Sequence, residues 1–243
     1  MARTVVTPGR GLKRSADHSV AQQIYRDLKH RIIHGDLPPE TQMSEASLAV
    51  EFRVSRTPVR EALKMLSNDG YVVIAPQVGS IVSGIDIQDV LDATDVRTML
   101  EPAAVERAMA RAGGELAQLL AEPLGRMETA CQRREYQSFV EGDNEFHRRI
   151  WKATGNRRLA DILELVLNVV ERARWQGLVA VSELPTLIEL HTALYREICR
   201  GDVVGAREQM AAHMRYVRDR MVLISAPDAP RVPPEDGHIG TGG

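Results

Sequence analysis

Residues 54–66 read V-S-R-T-P-V-R-E-A-L-K-M-L, and this stretch decides the fold of the first third of the chain. Its apolar residues recur at offsets of three and four, which is the spacing of one buried helix face: Val59, Ala62, Leu63 and Leu66. Its basic residues stand four apart and fall on a different face: Arg56, Arg60 and Lys64. A short amphipathic helix with a cationic exposed face suits insertion into a groove of a nucleic acid.

Two further helices are predicted ahead of this stretch. Apolar residues repeat through residues 20–34, where Gly35 and the following Leu-Pro-Pro sequence end the first helix. A second helix starts at Ser44, a suitable N-cap, and runs to Phe52. Because only a few residues then separate it from the basic helix, the pair is expected to form a helix-turn-helix unit.

The start of the basic helix has two interpretations. Thr57 as N-cap would place Pro58 at the first helical position, which proline favours. Ser55 as N-cap would place Pro58 later in the first turn, where backbone N–H groups lack helical acceptors in any case. Both remain open from the sequence.

A two-stranded wing is predicted after the basic helix. Residues 71–74 and 80–82 are rich in β-branched side chains and flank a loop that contains proline and glycine. Three helices followed by such a hairpin form the winged helix-turn-helix layout.

Composition and charge restrict the function. The chain has 243 residues, 44% of them hydrophobic, and a net charge of −2. Residues 1–85 hold eleven Lys and Arg against eight Asp and Glu, whereas the remainder holds twenty against twenty-five, so a polyanion should prefer the N-terminal part. Cys131 and Cys199 lack framework spacing, which favours a reducing cytoplasm. With neither a secretory signal nor an apolar run of about 18 to 20 residues, we expect no membrane association.

The rest of the chain is predicted to be an all-α antiparallel bundle. Six helical segments with short breaks cover residues 87–112, 114–133, 136–154, 158–178, 184–200 and 203–224. Pro123 predicts a kink or a split in the second of them. The expected organisation is a disordered arm (1–17), a winged domain (18–83), an all-helical domain (84–225) and a disordered tail (226–243).

Four residues of the bundle form a candidate metal site. Asp143 and His147 project from one helix face, while His191 and His213 each share an apolar stripe on a later helix. A single inward histidine is more often an ordinary core residue than a ligand. Three imidazoles and a carboxylate facing inward together would be costly to bury unpaired, and they suit a divalent transition metal.

The N-terminal part resembles the DNA-binding domain of GntR-family transcription regulators. The resemblance rests on Ser44-Glu45, on V-S-R-T-P-V-R-E-A-L (residues 54–63) and on D-G-Y-V (residues 69–72). It implies DNA contacts from the basic helix and the wing tip; with the helix N-termini, the predicted DNA-binding residues are Ser44, Ser55, Arg56, Thr57, Arg60, Lys64, Gln77 and Gly79. Ala46 stands where relatives often have a basic residue, so one phosphate contact is expected to be missing.

The bundle resembles the FCD effector domain of the FadR branch of that family. The matching features are D-x-x-x-H, then His191 in H-T-A-L-Y-R-E-I-C-R-G-D and His213 in A-A-H-M. The resemblance implies a metal on these residues at the floor of a ligand cavity, with zinc, nickel and manganese all possible. Four protein ligands could close a tetrahedral site, or a six-coordinate metal could leave two positions for waters or a carboxylate effector.

Three other residues of the bundle are candidates for contacts. Arg97, in V-R-T-M-L-E, is predicted to bind the effector carboxylate; the alternative is an i, i+4 ion pair with Glu101. Arg172 and Arg174, near a helix end, are expected to be solvated or at an interface. Trp175 could line a cavity or a subunit contact.

These features predict a cytoplasmic, ligand-responsive transcription regulator, by default a repressor, that binds a pseudo-palindromic double-stranded DNA operator as a homodimer. Its effector would be a small organic acid. The main alternative is a metal-dependent hydrolase or lyase with an accessory winged domain, in which a metal-bound water is the nucleophile. A weaker alternative is a constitutive DNA-binding protein whose bundle only dimerises.

Overall fold

The computed structural model describes residues 19–33, 35–75, 79–84, 86–174 and 181–225. The chain divides into two compact units, and the second begins at Asp86. The predicted disordered arm (1–17) and tail (226–243) lie outside the described residues. Each unit is described by itself below.

The N-terminal unit contains three helices and a small sheet. In chain order they are α1 (Val20–Ile33), β1 (Gln42–Met43), α2 (Glu45–Phe52), α3 (Arg56–Asn68), β2 (Val72–Ala75) and β3 (Gly79–Val82). The apolar face of α3 is buried as predicted: Val59, Ala62, Leu63 and Leu66. The winged helix-turn-helix fold predicted for this part is confirmed.

Capping residues define the starts of α2 and α3. The side chain of Ser44 accepts a hydrogen bond from the backbone N–H of Ser47 and caps α2 as predicted. Helix α3 begins at Arg56 with Ser55 as N-cap, so Pro58 is its third residue. Its missing N–H costs nothing there, because the first turn has no helical acceptors for such groups.

The wing has one strand more than predicted. Strand β3 pairs with β2 on one side and with β1 on the other, both antiparallel. With two residues, β1 is too short to show an alternating pattern in the sequence. Gly79 at the start of β3 has φ +108°, and a Cβ atom there would lie 2.8 Å from the carbonyl oxygen of Met43 in β1. The close strand pairing therefore requires glycine at this position.

The second unit is the predicted helical bundle. Its helices are α4 (Ile87–Ala112), α5 (Glu115–Arg133), α6 (Tyr136–Ala153), α7 (Arg157–Ala173), α8 (Leu184–Arg200) and α9 (Val203–Ser225), with a short 3-10 turn before α8. Helix α4 packs against α6, α7 and α9, while α5 packs against α6 and α8. Residues 175–180, which include Trp175 and the predicted extension of α7 to residue 178, lie outside the described residues.

Helix α5 is continuous across Pro123, and the split predicted as one possibility there does not occur. Proline has no N–H, so the carbonyl of Leu119 loses its usual donor four residues later. Arg149 of α6 replaces this donor, because its Nη1 lies 2.7 Å from the oxygen of Leu119. A hydrogen bond from a neighbouring helix thus satisfies the carbonyl that the proline leaves free.

Candidate metal centre and DNA-binding surface

The bundle brings Asp143, His147, His191 and His213 together. The first two lie one turn apart on α6, His191 lies on α8 and His213 lies on α9. All four side chains are buried, and one candidate ligand atom from each lies within 4.8 Å of the others. The imidazole rings of His191 and His213 are 4.4 Å apart between centroids.

One buried polar atom of each of the four side chains lacks a hydrogen-bond partner in the described part of the chain. Among the described residues, no donor or acceptor satisfies these buried atoms of the cluster: Asp143 Oδ1, His147 Nε2, His191 Nε2 and His213 Nδ1. The Nδ1 of His191 lies 2.8 Å from the carbonyl oxygen of Leu187 and must donate its hydrogen there. In a neutral ring the Nε2 of His191 then presents a lone pair, only 3.0 Å from a carboxylate oxygen of Asp143. Two acceptors so close repel each other, so either a proton or a metal ion must lie between them.

His147 is held by a carboxylate. Its Nδ1 lies 3.1 Å from Oε2 of Glu101, which also accepts a hydrogen bond of 2.9 Å from Nε1 of Trp151. The other oxygen of Glu101 accepts from Nε and Nη2 of Arg97 at 3.1 and 2.8 Å. Of the two alternatives for Arg97, the structure therefore contains the ion pair with Glu101, and both side chains are buried.

Arg174 is buried beside Asp143, so of the two alternatives predicted for it, the solvated one was wrong, while the interface stays a prediction. Its Nη1 lies 2.6 Å from Oδ2 of Asp143, the oxygen that does not face His191. Arg172 is buried too, with only 8% of its surface exposed. Arg172 lies in the last turn of α7 and Arg174 is its C-cap, and the apolar spacing of that helix did not reveal that either is buried.

Burial and neighbouring charges set the protonation of the cluster. Burial lowers the pKa of His147, against the opposing effect of Glu101, and it lowers the pKa of His213 well below its ordinary value, helped by the other imidazoles. Burial alone would raise the pKa of Asp143, but Arg174 and His191 outweigh it and hold this pKa well below its usual range. Likewise His147 and Arg97 overcome the burial of Glu101 and lower its pKa to about 2.

This donor set fits a divalent transition metal. The lowered pKa values of His147 and His213 favour neutral imidazoles, and that of Asp143 favours an ionised carboxylate, which are ligands that such ions bind. In neutral rings, the hydrogen bonds at Nδ1 of His147 and of His191 leave the lone pair on Nε2, which faces the cluster. The four atoms without partners are thus explained by one cation.

The N-terminal unit presents a cationic surface on α3. The predicted contact residues Ser44, Ser55, Arg56, Thr57, Arg60 and Lys64 are all exposed. Arg60 donates from Nε and Nη2 to the two oxygens of Glu45 in α2, at 2.7 Å each. Of the predicted wing contacts, Gln77 lies outside the described residues, and Gly79 pairs with Ala75 at the start of β3.

The sequence did not identify three partners of these sites. Glu101 was predicted only as a possible ion-pair partner of Arg97, four residues earlier on the same helix, and not as a contact of His147. Arg174 reaches Asp143 across 31 residues of sequence, and Glu45 reaches Arg60 across fifteen. No local pattern signals such contacts, because they depend on how the helices pack.

A winged helix-turn-helix followed by a helical domain with a buried Asp and three His defines a regulator that combines DNA binding with a sensing domain. Comparison with known families agrees: residues 20–82 match the bacterial regulatory proteins of the gntR family, and residues 92–216 match the FCD domain. The chain belongs to the GntR family of transcription regulators and carries an FCD domain.

Individual relatives support the same family. The HTH-type transcriptional repressor RspR of Escherichia coli K12 is 30% identical over 205 residues, which is 84% of this chain and 90% of that protein. The gluconate operon transcriptional repressor of Bacillus subtilis is 29% identical over 208 residues, covering 86% of this chain and 80% of that protein. The solved structure of E. coli McbR/YncC has the same fold, with a TM-score of 0.71 at 22% identity over 84% of this chain and 98% of that one.

Membership of this family decides against the alternative of a metal-dependent hydrolase or lyase, since the family and its named relatives are transcription regulators rather than enzymes. Within the described parts of the chain, every helix is too short or too polar to cross a membrane.

Proposed function

We propose that this chain is a repressor whose operator binding responds to a small organic acid recognised at a metal in the FCD domain. The observation that carries the proposal is the buried cluster of four ligand atoms without partners, in a chain that also has a GntR winged domain. The metal ligands would be Asp143, His147, His191 and His213. The bound cation would supply a positive centre at which an effector carboxylate could replace water.

The DNA-binding part of the proposal assigns base contacts to Arg56 and Arg60 on α3. Each could donate two hydrogen bonds to a guanine, a contact worth about 1–3 kcal/mol of discrimination. Phosphate contacts would come from Thr57, from Lys64 and from the helix starts at Ser44 and Ser55, with Gln77 and Gly79 of the wing reaching the minor groove. A homodimer would place two such helices on the halves of a pseudo-palindromic operator.

The acid-sensing part of the proposal is supported by charge and by a relative. Arg97 remains the predicted contact for the effector carboxylate, although its Nε and Nη2 are engaged by Glu101, so this role would use the remaining Nη1. One relative is named for the gluconate operon, and gluconate is a small organic acid. Effector binding would alter operator affinity by favouring one arrangement of the dimer over another. Zinc, nickel and manganese remain candidates for the metal.

DNA binding is tested with operators selected by the wild-type protein from a random DNA pool. In a gel-shift assay, Arg60→Ala should lose retention of the selected sequence, whereas Arg26→Ala, which removes an exposed charge on α1, should keep it. Equal retention by both variants would contradict the assignment of α3. Native mass spectrometry of the same samples should report two chains per particle.

The metal is tested by elemental analysis of protein purified without a histidine tag. We expect about one transition metal per chain and its loss in His191→Gln. A folded wild-type protein that binds no transition metal, even after addition of zinc, nickel or manganese, would refute the metal site. With metal bound, the search for the effector begins with small carboxylic acids that release the selected operator.

A further inference from the structure

Glu101 has every acceptor position of its side chain in use. One oxygen accepts two hydrogen bonds from Arg97, and the other accepts from Trp151 and His147. A carboxylate offers about four lone-pair sites, so none is left for a cation or for a proton of a substrate. Glu101 is also fully buried. Its position beside the cluster therefore calls for an explanation other than ligation.

The hydrogen bond to Glu101 determines which nitrogen of His147 can bind a metal. A neutral imidazole has one N–H, and an ionised carboxylate at Nδ1 can only accept it. The Nε2 of His147 is thus left with its lone pair, and this is the buried nitrogen for which the described residues offer no partner. The backbone carbonyl of Leu187 acts in the same way on Nδ1 of His191.

We propose that Glu101 is a positioning residue of the metal site, which fixes the tautomer and the orientation of His147 and so raises the affinity for the metal. The proposal rests on the metal site proposed above. Arg97 holds Glu101 from one turn earlier on α4, and Trp151 holds it from one turn after His147 on α6. The carboxylate is therefore fixed from both helices. Carboxylates that orient a ligating histidine typically change metal affinity about 10–100-fold when they are removed.

The test compares metal affinity in folded variants. Wild-type protein and Glu101→Gln are stripped with a chelator, loaded with Co(II) or Zn(II), and titrated against a competing chelator. Glutamine is similar in size but uncharged, and its NH2 group must face either Arg97 or the pair formed by His147 and Trp151. We expect Glu101→Gln to bind about 10–100-fold more weakly. We also expect its Co(II) absorption spectrum to shift, since the ligand nitrogen is no longer held in place.

A matched control is available in the ion pair between Arg148 of α6 and Glu164 of α7. Arg148, the neighbour of His147, donates to Glu164 with Nε 2.9 Å from Oε2 and Nη2 2.7 Å from Oε1. Glu164→Gln makes the same chemical change in an arginine ion pair that does not touch the cluster. Its metal affinity and Co(II) spectrum should match those of the wild type. Long-range proton–nitrogen NMR should place the hydrogen of His147 on Nδ1 in the wild type and in Glu164→Gln.

The outcomes separate this inference from the proposed function. If the wild type binds no metal, the metal site itself is refuted. If the wild type binds metal and Glu101→Gln binds it equally well with an unchanged spectrum, only the role of Glu101 is overturned. Should Glu101→Gln fail to fold, Trp151→Phe decides, since it removes one hydrogen bond to Glu101 and keeps an aromatic ring. A weaker metal affinity of that variant supports the inference, and an unchanged affinity overturns it.

Discussion

Two arginine–glutamate pairs, one in each unit, have similar chemistry and opposite surroundings. Arg60 and Glu45 lie on the predicted DNA-binding surface, with 59% and 34% of their side chains exposed. Arg97 and Glu101 lie inside the bundle, with 2% and 0% exposed. Each arginine donates from Nε and Nη2, to both oxygens of Glu45 in the first pair and to a single oxygen of Glu101 in the second.

The difference in burial determines what each pair can do. An exposed pair contributes little to stability, because water solvates both groups when they separate. Arg60 can therefore exchange Glu45 for another acceptor, as its proposed contact with DNA requires. A buried pair cannot separate without leaving a charge in a medium that solvates it poorly. Arg97 and Glu101 are accordingly suited to holding His147 in a fixed position.

The largest expected effect follows from breaking the buried pair. Arg97→Met should lower the free energy of unfolding of the metal-free bundle by about 3–5 kcal/mol, because it leaves Glu101 buried without its guanidinium. Both tryptophans of the chain lie in the C-terminal part, so tryptophan fluorescence during urea unfolding reports on the bundle. Adding Glu101→Gln to Arg97→Met should recover part of the loss, since it removes the unpaired charge. A loss of stability below about 1 kcal/mol would contradict this prediction, because it would mean that the buried pair contributes no more than an exposed one.

The second effect concerns pH and the buried histidines. The pKa values of His147 and His213 are lowered in the folded protein, so below the ordinary value of 6.5 the unfolded chain binds more protons. The metal-free bundle should therefore lose stability as the pH falls through 6.5, by up to about 1.4 kcal/mol per pH unit for each histidine. The pKa of Glu101 is lowered from 4.5 to about 2 in the folded protein, so the bundle should lose further stability as the pH falls from 4.5 towards that value.

The exposed pair provides the contrast in pH dependence. Arg60 lowers the pKa of Glu45, so the contribution of Glu45 is present above 4.5 and is lost only as the pH falls below that value. Urea unfolding at pH 7 and at pH 5.5, in the presence of a chelator, measures how much the free energy of unfolding of the bundle changes over this interval. The substitution His213→Gln removes one of the two histidines with a lowered pKa, so the free energy of unfolding of the bundle should depend less steeply on pH. An unchanged stability of the wild-type bundle over this interval would contradict the lowered histidine pKa values.

The exposure of Arg149 lies between that of Arg97 and that of Arg60, since 27% of its side chain is exposed. It forms ion pairs with Glu122 and Glu145, and it also donates to the carbonyl of Leu119 that Pro123 leaves free. Arg149→Met should lower the free energy of unfolding by about 0.5–1.5 kcal/mol, the net contribution of a typical hydrogen bond, because water can reach the exposed carbonyl of Leu119 once the arginine is gone. Restoring a backbone N–H with Pro123→Ala should make the same Arg149 substitution much less costly. Equal costs in both backgrounds would show that the ion pairs, rather than the carbonyl, account for the effect.

The sequence predicted what depends on local spacing. The buried face of α3, the cap at Ser44 and the six bundle helices follow from periodicity and capping, which act within a few residues. The proposed ligand set of Asp143 and the three histidines needed the family resemblance as well, because three helices contribute to it. The roles of Glu101, Arg174 and Arg149 could not be predicted in this way, since each depends on which residues face one another across packed helices.

The smallest effect on stability is expected at the exposed pair itself. Glu45→Gln should leave urea unfolding of the winged unit nearly unchanged, measured by circular dichroism at low and at high salt, because Arg60 stays solvated without its partner. A large loss would mean that Arg60 is fixed by Glu45 as firmly as Arg97 is fixed by Glu101. Arg60 would then have to break a strong contact before reading a base, and Arg56 would become the better candidate for the specific contact. A small loss leaves Arg60 able to turn from Glu45 to DNA at little cost in free energy.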